Sequence, residues 1–319
     1  MEKIKAGIIG CGRISSVYRA VFENMKEEAE LVFAVDKELS RAEQLAAAFP
    51  GCGYSDRLED MLRQPLSVVH VLTPHFLHKE HVIACLEAGF HVLTEKPIAL
   101  SLEDADLMIA AAKKNKRQLG VIFQNRYIEG VQEVKRMIEN GEFGRITGAF
   151  STLNWWRPPS YYECDWKGSW EKEGGGCTLN HAVHHIDMLG WMMGRPDKVT
   201  AVVSNAAHDN AEVEDISIAI MKYPEGRLAQ VTSSVIHYGE QQAVKFQGEY
   251  TAVSVPWEVH ASVAKGNGFP DPNPELEQKI QEYYDSLPEL QYEKHPGEIQ
   301  NFLEAVERGE RSRRPSGLR

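Results

Sequence analysis

The chain has no apolar run approaching the ~20 residues of a helical membrane span, so a bilayer is not its expected home. It is poor in cysteine: Cys11, Cys52, Cys85, Cys164 and Cys177 are odd in number and show no paired spacing. That argues against a disulfide framework and suits reduced thiols in a cytoplasm. Positive charge is lacking as well. The formal net charge is −11, which argues against nucleic acid or anionic membrane as a partner. Basic residues are scattered, except for five arginines between Arg308 and Arg319, a tail read as solvated. Met1-Glu2-Lys3-Ile4-Lys5 runs straight into a strand and leaves no room for a signal peptide. Internal repeats, low-complexity tracts and long linkers are missing too.

What is present is an ordinary globular composition, 43% hydrophobic and 25% charged, over 319 residues. That length allows two domains, each with its own core. Residues 1–123 alternate strand and helix. Apolar strands are expected at Lys5–Ile9, Leu31–Val35, Val68–Leu72, His91–Thr94 and Gln118–Phe123. Helical patterns fill Ile14–Met25, Arg41–Phe49 and Phe76–Ala88, and a further helix starts behind Ser101 as N-cap. Such alternation predicts a parallel, doubly wound sheet. Ligands of these sheets bind beyond the carboxyl ends of the strands. Gly10, Asp36, Thr73 and Lys96 all fall at strand ends, so suspects from four strands converge on one edge.

Gly10-Cys11-Gly12-Arg13-Ile14-Ser15 follows the first strand. Gly10 permits a tight turn and Gly12 a close approach of backbone to a pyrophosphate. Ser15 replaces the usual third glycine and is still small. Alone, such a motif describes any strand-to-helix turn. Asp36, some twenty residues on, adds an acceptor for ribose hydroxyls and repels a 2′-phosphate, which favours NAD over NADP. Lys37 and Arg41 beside it leave NADP open.

Residues 124–319 read as an α/β domain with a large, mainly antiparallel open sheet. A helix is expected from Gly130 to Asn140, and strands at Thr147–Trp155, Thr200–Ser204, Ile216–Tyr223, Arg227–Val235 and Gln242–Phe246. A last helix near 298–308 is expected to pack back toward the first domain. Trp155, Trp156, Tyr161, Tyr162, Trp166 and Trp170 are either core packing or a platform for the apolar face of a sugar. Gly174-Gly175-Gly176 opens a helix over Cys177–Met193, on which Asn180, His184 and Asp187 fall at i, i+4 and i+7 and share a face. His181 and His185 form an i, i+4 pair with no third ligand in sight, and His75, His78 and His81 follow a strand; neither set is read as a metal site.

Together these residues resemble the Gfo/Idh/MocA family, the relatives of glucose-fructose oxidoreductase and inositol dehydrogenase. The carriers are Gly10 to Ser15, Asp36, Thr73-Pro74 with His78, Glu95-Lys96-Pro97, Asn125-Arg126-Tyr127, Trp156-Arg157 and the Gly174–Asp187 stretch. The resemblance covers nearly the whole chain. It implies NAD(P)-linked oxidation or reduction of sugars, glycosides or cyclitols, and a homodimer or homotetramer formed through the open sheet. Cofactor contacts are implied for Gly10, Gly12, Arg13, Ile14, Asp36, Thr73, Pro74, His78, Glu95 and Lys96. Substrate contacts are implied for Arg157, Trp166, Asn180, His184 and Asp187.

Within that resemblance Lys96 is the catalytic lysine and His184 the active-site histidine, with Asn180 beside it. His184, with an ordinary pKa of about 6.5, takes the hydroxyl proton, and Lys96 stabilises the negative charge developing on the same oxygen. Asn180 stands where many members carry aspartate, and a neutral amide cannot raise the histidine pKa as a carboxylate would. Asp187 either reaches substrate or ties down the helix. The stretch Arg314–Arg319 resembles the loop before the family's last helix, which does not follow it. Two rivals share the same parts: a glycosidase that oxidises its sugar transiently on tightly held NAD, and a non-catalytic NAD- and sugar-binding regulator.

Overall fold

In the computed structural model of the chain, residues 3–309 are described; the Arg314–Arg319 stretch lies outside them. Two compact units form. Among the described residues, one comprises residues 3–123, the short segment Glu171–Gly174 and residues 294–309; the other comprises Gln124–Trp170 and Gly175–Glu293. No helix among the described residues is long and apolar enough to cross a membrane.

The first unit is built on six parallel strands: β1 (Ile4–Ile9), β2 (Ala29–Val35), β3 (Gly53–Ser55), β4 (Val68–Val71), β5 (His91–Thr94) and β6 (Leu119–Val121). Their order is β3-β2-β1-β4-β5-β6, the doubly wound arrangement the strand–helix alternation predicts. β4 is buried along its whole length, as a central parallel strand covered on both faces must be. Ser101 is the N-cap of helix Leu102–Asn115, its hydroxyl accepting from the Asp104 amide at 3.1 Å. β3 and the five-residue helix Leu58–Leu62 escape sequence reading because neither is long enough to display a period. Helix Lys294–Glu307 completes the unit. Its Phe302 ring lies so close to β6 that a Cβ on Gly120 would meet it at 2.9 Å.

The second unit carries eight strands: β7 (Gly148–Trp156), β8 (Lys198–Ser204), β9 (Ile216–Lys222), β10 (Leu228–Ser234), β11 (Ile236–Gln247), β12 (Thr251–Val255), β13 (Glu258–Ala264) and β14 (Pro270–Pro272). The order is β14-β13-β12-β11-β7-β10-β9-β8, antiparallel except for the β7–β10 pair. β12, β13, β14 and helix Pro274–Asp285 are elements the sequence reading did not separate. One sheet face is covered by helices Glu129–Glu139, Val183–Met193 and Pro274–Asp285. Val134, Met137, Leu189 and Ile280 pack there on Met221, Val231 and Phe246. The opposite face of β7, β8, β9 and β10 is left open, with Phe150, Val202, Ile218, Ile220 and Leu228 exposed on it.

Candidate active site

The first unit brings Gly10, Asp36, Thr73 and Lys96 to one edge because they end β1, β2, β4 and β5 of a single parallel sheet. Gly10 sits at φ +93°, and a Cβ on it would meet the Leu72 carbonyl at 2.8 Å, so the turn itself demands glycine. At Gly12 a Cβ would meet nothing within 4 Å. The protein leaves the space over Gly12 clear, as a backbone that must approach a pyrophosphate requires. The Ser15 hydroxyl donates to the Gly12 carbonyl at 2.7 Å, and helix Ser15–Asn24 begins there; Arg13 is exposed and Ile14 is its N-cap. A helix N-terminus behind a glycine turn suits a bound phosphate group.

Asp36 steadies this turn. Its Oδ2 accepts from the Cys11 amide at 2.6 Å and its Oδ1 from the Glu38 amide at 2.9 Å. A carboxylate oxygen can accept more than one hydrogen bond, so ribose hydroxyls remain within its capacity. Glycine turn, helix start and strand-end carboxylate thus fit a dinucleotide. Pro74 follows Thr73 at the end of β4, and the Thr73 hydroxyl lies 3.2 Å from Nδ1 of His81.

Two residues expected among the cofactor contacts have their polar atoms turned inward. His78 is fully buried, its Nδ1 2.8 Å from the Pro97 carbonyl and its Nε2 2.8 Å from the Thr73 carbonyl. The ring spans the loops after β4 and β5, so its part is to hold them together. Glu95 accepts a 3.1 Å hydrogen bond from the Tyr18 hydroxyl. Lys96 follows it, half-buried, and joins Pro97 through a cis bond. Burial pulls the Lys96 pKa down, against the charges of Glu95 and Glu173, which pull it up. Glu173 is buried in the same unit, and its carbonyl lies 2.9 Å from Nδ1 of His75. Sequence reading gave Glu173 no role.

In the second unit the expected regular helix over Cys177–Met193 proves to be two elements, a π turn at Thr178–Ala182 and an α-helix at Val183–Met193. The i, i+4, i+7 face drawn at 3.6 residues per turn is therefore not the true one. A π turn winds more widely, so Asn180 is offset relative to His184 and Asp187, which stay at i, i+3 on the regular α-helix. Glu214 fixes the start of the turn. Its carboxylate accepts from the Gly176 amide at 2.8 Å and the Thr178 amide at 3.0 Å, while its carbonyl accepts from Cys177 at 2.9 Å. A Cβ on Gly176 would lie 1.8 Å from that carbonyl oxygen, so the last glycine of the triplet is sterically obligatory.

Asn180 donates from Nδ2 to the Tyr161 hydroxyl at 3.2 Å, and Nε2 of the buried His184 lies 3.4 Å from Nε2 of Gln124. The Gln124 amide can donate to that nitrogen only while the imidazole is neutral there. Arg126 grips both carboxylate oxygens of Asp187, at 2.6 and 2.5 Å, while its guanidinium lies 5.4 Å from the Trp191 ring centroid, so Asp187 is tied to Arg126 within its unit. Arg157 stacks over Trp155 at 4.7 Å and donates to the Trp156 carbonyl. Lys167 stands 3.3 Å over Tyr161 and 5.5 Å from the ring of Trp166. His185 bonds Ser151 at 2.8 Å and His181 meets the Trp155 ring edge-on. Gln124 and Glu214 gave no local signal, because their partners lie 60 and 36–38 residues away; Tyr161 stood among the expected aromatics, but its pairing with Asn180, 19 residues on, did not show.

Two family models match the chain. The description "Oxidoreductase family, NAD-binding Rossmann fold" fits residues 4–123, and "GFO/IDH/MocA C-terminal domain" fits residues 131–254. A 2,7-anhydro-N-acetylneuraminate hydratase from Mediterraneibacter gnavus is 30% identical over 80% of this chain and 68% of its own length. A hydratase of the same name from Escherichia coli is 32% identical over 71% and 60%, so the matched stretch spans less than two thirds of that relative. Among solved structures, the WlbA dehydrogenase of Chromobacterium violaceum, in complex with NADH and UDP-GlcNAcA, is 30% identical. It superimposes with a TM-score of 0.83 over 98% of this chain and 88% of its own.

Proposed function

Because the chain belongs to the Gfo/Idh/MocA family of oxidoreductases, we propose that it moves a hydride between NAD and a secondary hydroxyl or ketone of a sugar, glycoside or cyclitol. The observation that carries the reading is the single sheet edge at which the Gly10–Gly12 turn, Asp36 and Lys96 meet. Gly10, Gly12, Arg13 and Ile14 would hold the pyrophosphate, Asp36 the ribose, and Thr73 and Pro74 the rest of the nucleotide. NADP is admitted by Lys37 and Arg41. Bound nicotinamide supplies the hydride acceptor. His184 takes the substrate's hydroxyl proton on its ring, and Lys96 donates a hydrogen bond to the same oxygen as negative charge develops there. Asn180, steadied by Tyr161, orients the substrate, and Arg157 and Trp166 line its approach. A cytoplasmic homo-oligomer, associated through the open face of the second unit's sheet, belongs to the same reading.

A second reading draws on the relatives named hydratases, whose name implies no net oxidation. Transient oxidation and return of the hydride would use the same residues. A fluorescence screen for NADH formation separates the two readings. It presents hexoses, glycosides, inositols and sugar acids with NAD or NADP, and includes Lys96→Ala and His184→Ala. Net NADH from one substrate class, reduced at least about 100-fold in both variants, is expected for the dehydrogenase. Product release with no net NADH moves the assignment to the second reading, and full activity in either variant removes that residue from the chemistry.

A further inference from the structure

Three strand ends of the second unit meet at Asp215. β7 ends just before Arg157, β10 ends just before Val235, and β9 begins just after Asp215. Across these ends the Arg157 amide donates to the Val235 carbonyl at 2.7 Å, and the Val235 amide donates to the Asp215 carbonyl at 2.9 Å. A second route links the same two residues through side chains. The fully buried Asp215 carboxylate accepts from the amides of Ala206 and Ala207, at 2.8 and 2.9 Å, and lies 3.0 Å from Nδ1 of His208. Nε2 of that buried ring lies 2.9 Å from the Arg157 carbonyl. The backbone of Arg157 is thus held at both ends, its amide through main chain and its carbonyl through the imidazole. Tyr162 meets the His208 ring edge-on, with centroids 4.8 Å apart.

A carbonyl only accepts, so Nε2 reaches Arg157 as a donor, and the ring serves both its neighbours at once only with a proton on each nitrogen. A buried polar pair of this kind is a poor device for stability, because apolar residues of similar volume often do as well. What an apolar pair could not do is hold the Arg157 carbonyl. From that fixed backbone the guanidinium stacks at 4.7 Å on Trp155, stands 5.7 Å from the Tyr161 ring centroid and meets Glu240 at 3.4 Å. Tyr161 in turn accepts from Asn180, and Glu214, the neighbour of Asp215 in the chain, holds the turn that carries Asn180. Two adjacent acidic residues therefore anchor two of the groups assigned to the substrate. We propose that His208, oriented by Asp215, is a positioning residue that fixes the Arg157 backbone and so aims its guanidinium. This rests on the reading of Arg157 as a substrate contact.

The test compares wild type, His208→Phe, Arg157→Ala and the double variant as full-length proteins, with the substrate that the NADH screen identifies. His208→Phe keeps a ring beside Tyr162 but cannot donate to the carbonyl. It should raise KM about tenfold or more, with kcat within about threefold and NADH affinity within about twofold of wild type. Because His208 acts through Arg157, the double variant should match the KM of Arg157→Ala within about twofold, whereas independent effects would multiply. Multiplied effects overturn the proposal, and so does a wild-type KM in a His208→Phe protein that has only lost stability. Two readouts need no turnover. The Arg157 side-chain NMR resonance, assigned with Arg157→Lys, should leave the ring-current field of Trp155 in His208→Phe, and an unmoved resonance refutes the link. In wild type the Nε2 proton of His208 should exchange slowly and give its own resonance; its absence overturns the hydrogen bond to Arg157 even where no variant folds. A displaced Arg157 resonance in a protein that turns over no substrate upholds the positioning role and discards the dehydrogenase reading instead.

Discussion

Gly10 and Gly12 show how one motif serves two masters. A methyl at Gly10 would strike the Leu72 carbonyl in a left-handed turn, whereas one at Gly12 would enter open space. Gly10→Ala should therefore cost stability, on the order of 1–3 kcal/mol, seen as a lower urea midpoint. Gly12→Ala should leave that midpoint unchanged while weakening NADH binding about tenfold or more, roughly 1.4 kcal/mol. Equal destabilisation of both, or unaltered NADH binding in Gly12→Ala, would remove Gly12 from the path of the nucleotide. Both glycines were legible because the turn's needs are local. The pairing of Asp187 was not, because its partner, Arg126, lies 61 residues away and no spacing rule links them.

Elements were legible where their period was long. The helix that carries His184 was found, but its first turn was drawn at the wrong pitch, because a π turn leaves the apolar spacing of a short segment almost unchanged. What holds that turn is Glu214, which accepts two amides through its carboxylate and one through its carbonyl. Glu214→Gln keeps the shape but replaces one acceptor oxygen by an NH2 group that faces an amide donor. It should lower stability by about 1–3 kcal/mol and reduce kcat, since the turn bearing Asn180 would relax, with NADH affinity untouched. A variant with wild-type kcat and a normal unfolding midpoint would show that the Glu214 carboxylate does not shape the site. Of the elements missed altogether, β3, β14 and Leu58–Leu62 are three to five residues long, too short for periodicity to register, whereas β13 and the 12-residue helix Pro274–Asp285 were long enough and were still not read.

At the scale of the whole molecule the two sheets were legible for different reasons. The first is buried on both faces, so its strands read as apolar runs; the second alternates, since only one of its faces is covered by helices. That alternation has an unusual feature on the outward side. Along β9 the exposed outward residues are Ile218, Ile220 and, at its end, Lys222, and by register Ile218 stands opposite Val202 of β8 and Thr232 of β10. Val202 is 73% exposed, and Phe150 and Leu228 are exposed nearby on the same sheet. A solvated face ordinarily carries polar residues at such positions, and contiguous apolar patches of this kind mark association surfaces. If copies of the chain meet here, a pair of charges in the middle should separate them without touching the core behind. The double variant Ile218→Glu/Ile220→Glu is expected to elute at the monomer mass by light scattering, with the wild type heavier and the unfolding transition of the isolated subunit retained. A wild type that already runs as a monomer, or a double variant that stays assembled, would exclude this face as the contact. Because β9 lies between β8 and β10 and its inward residues Ala219 and Met221 stay buried under the helices, the outcome reads the outer face alone.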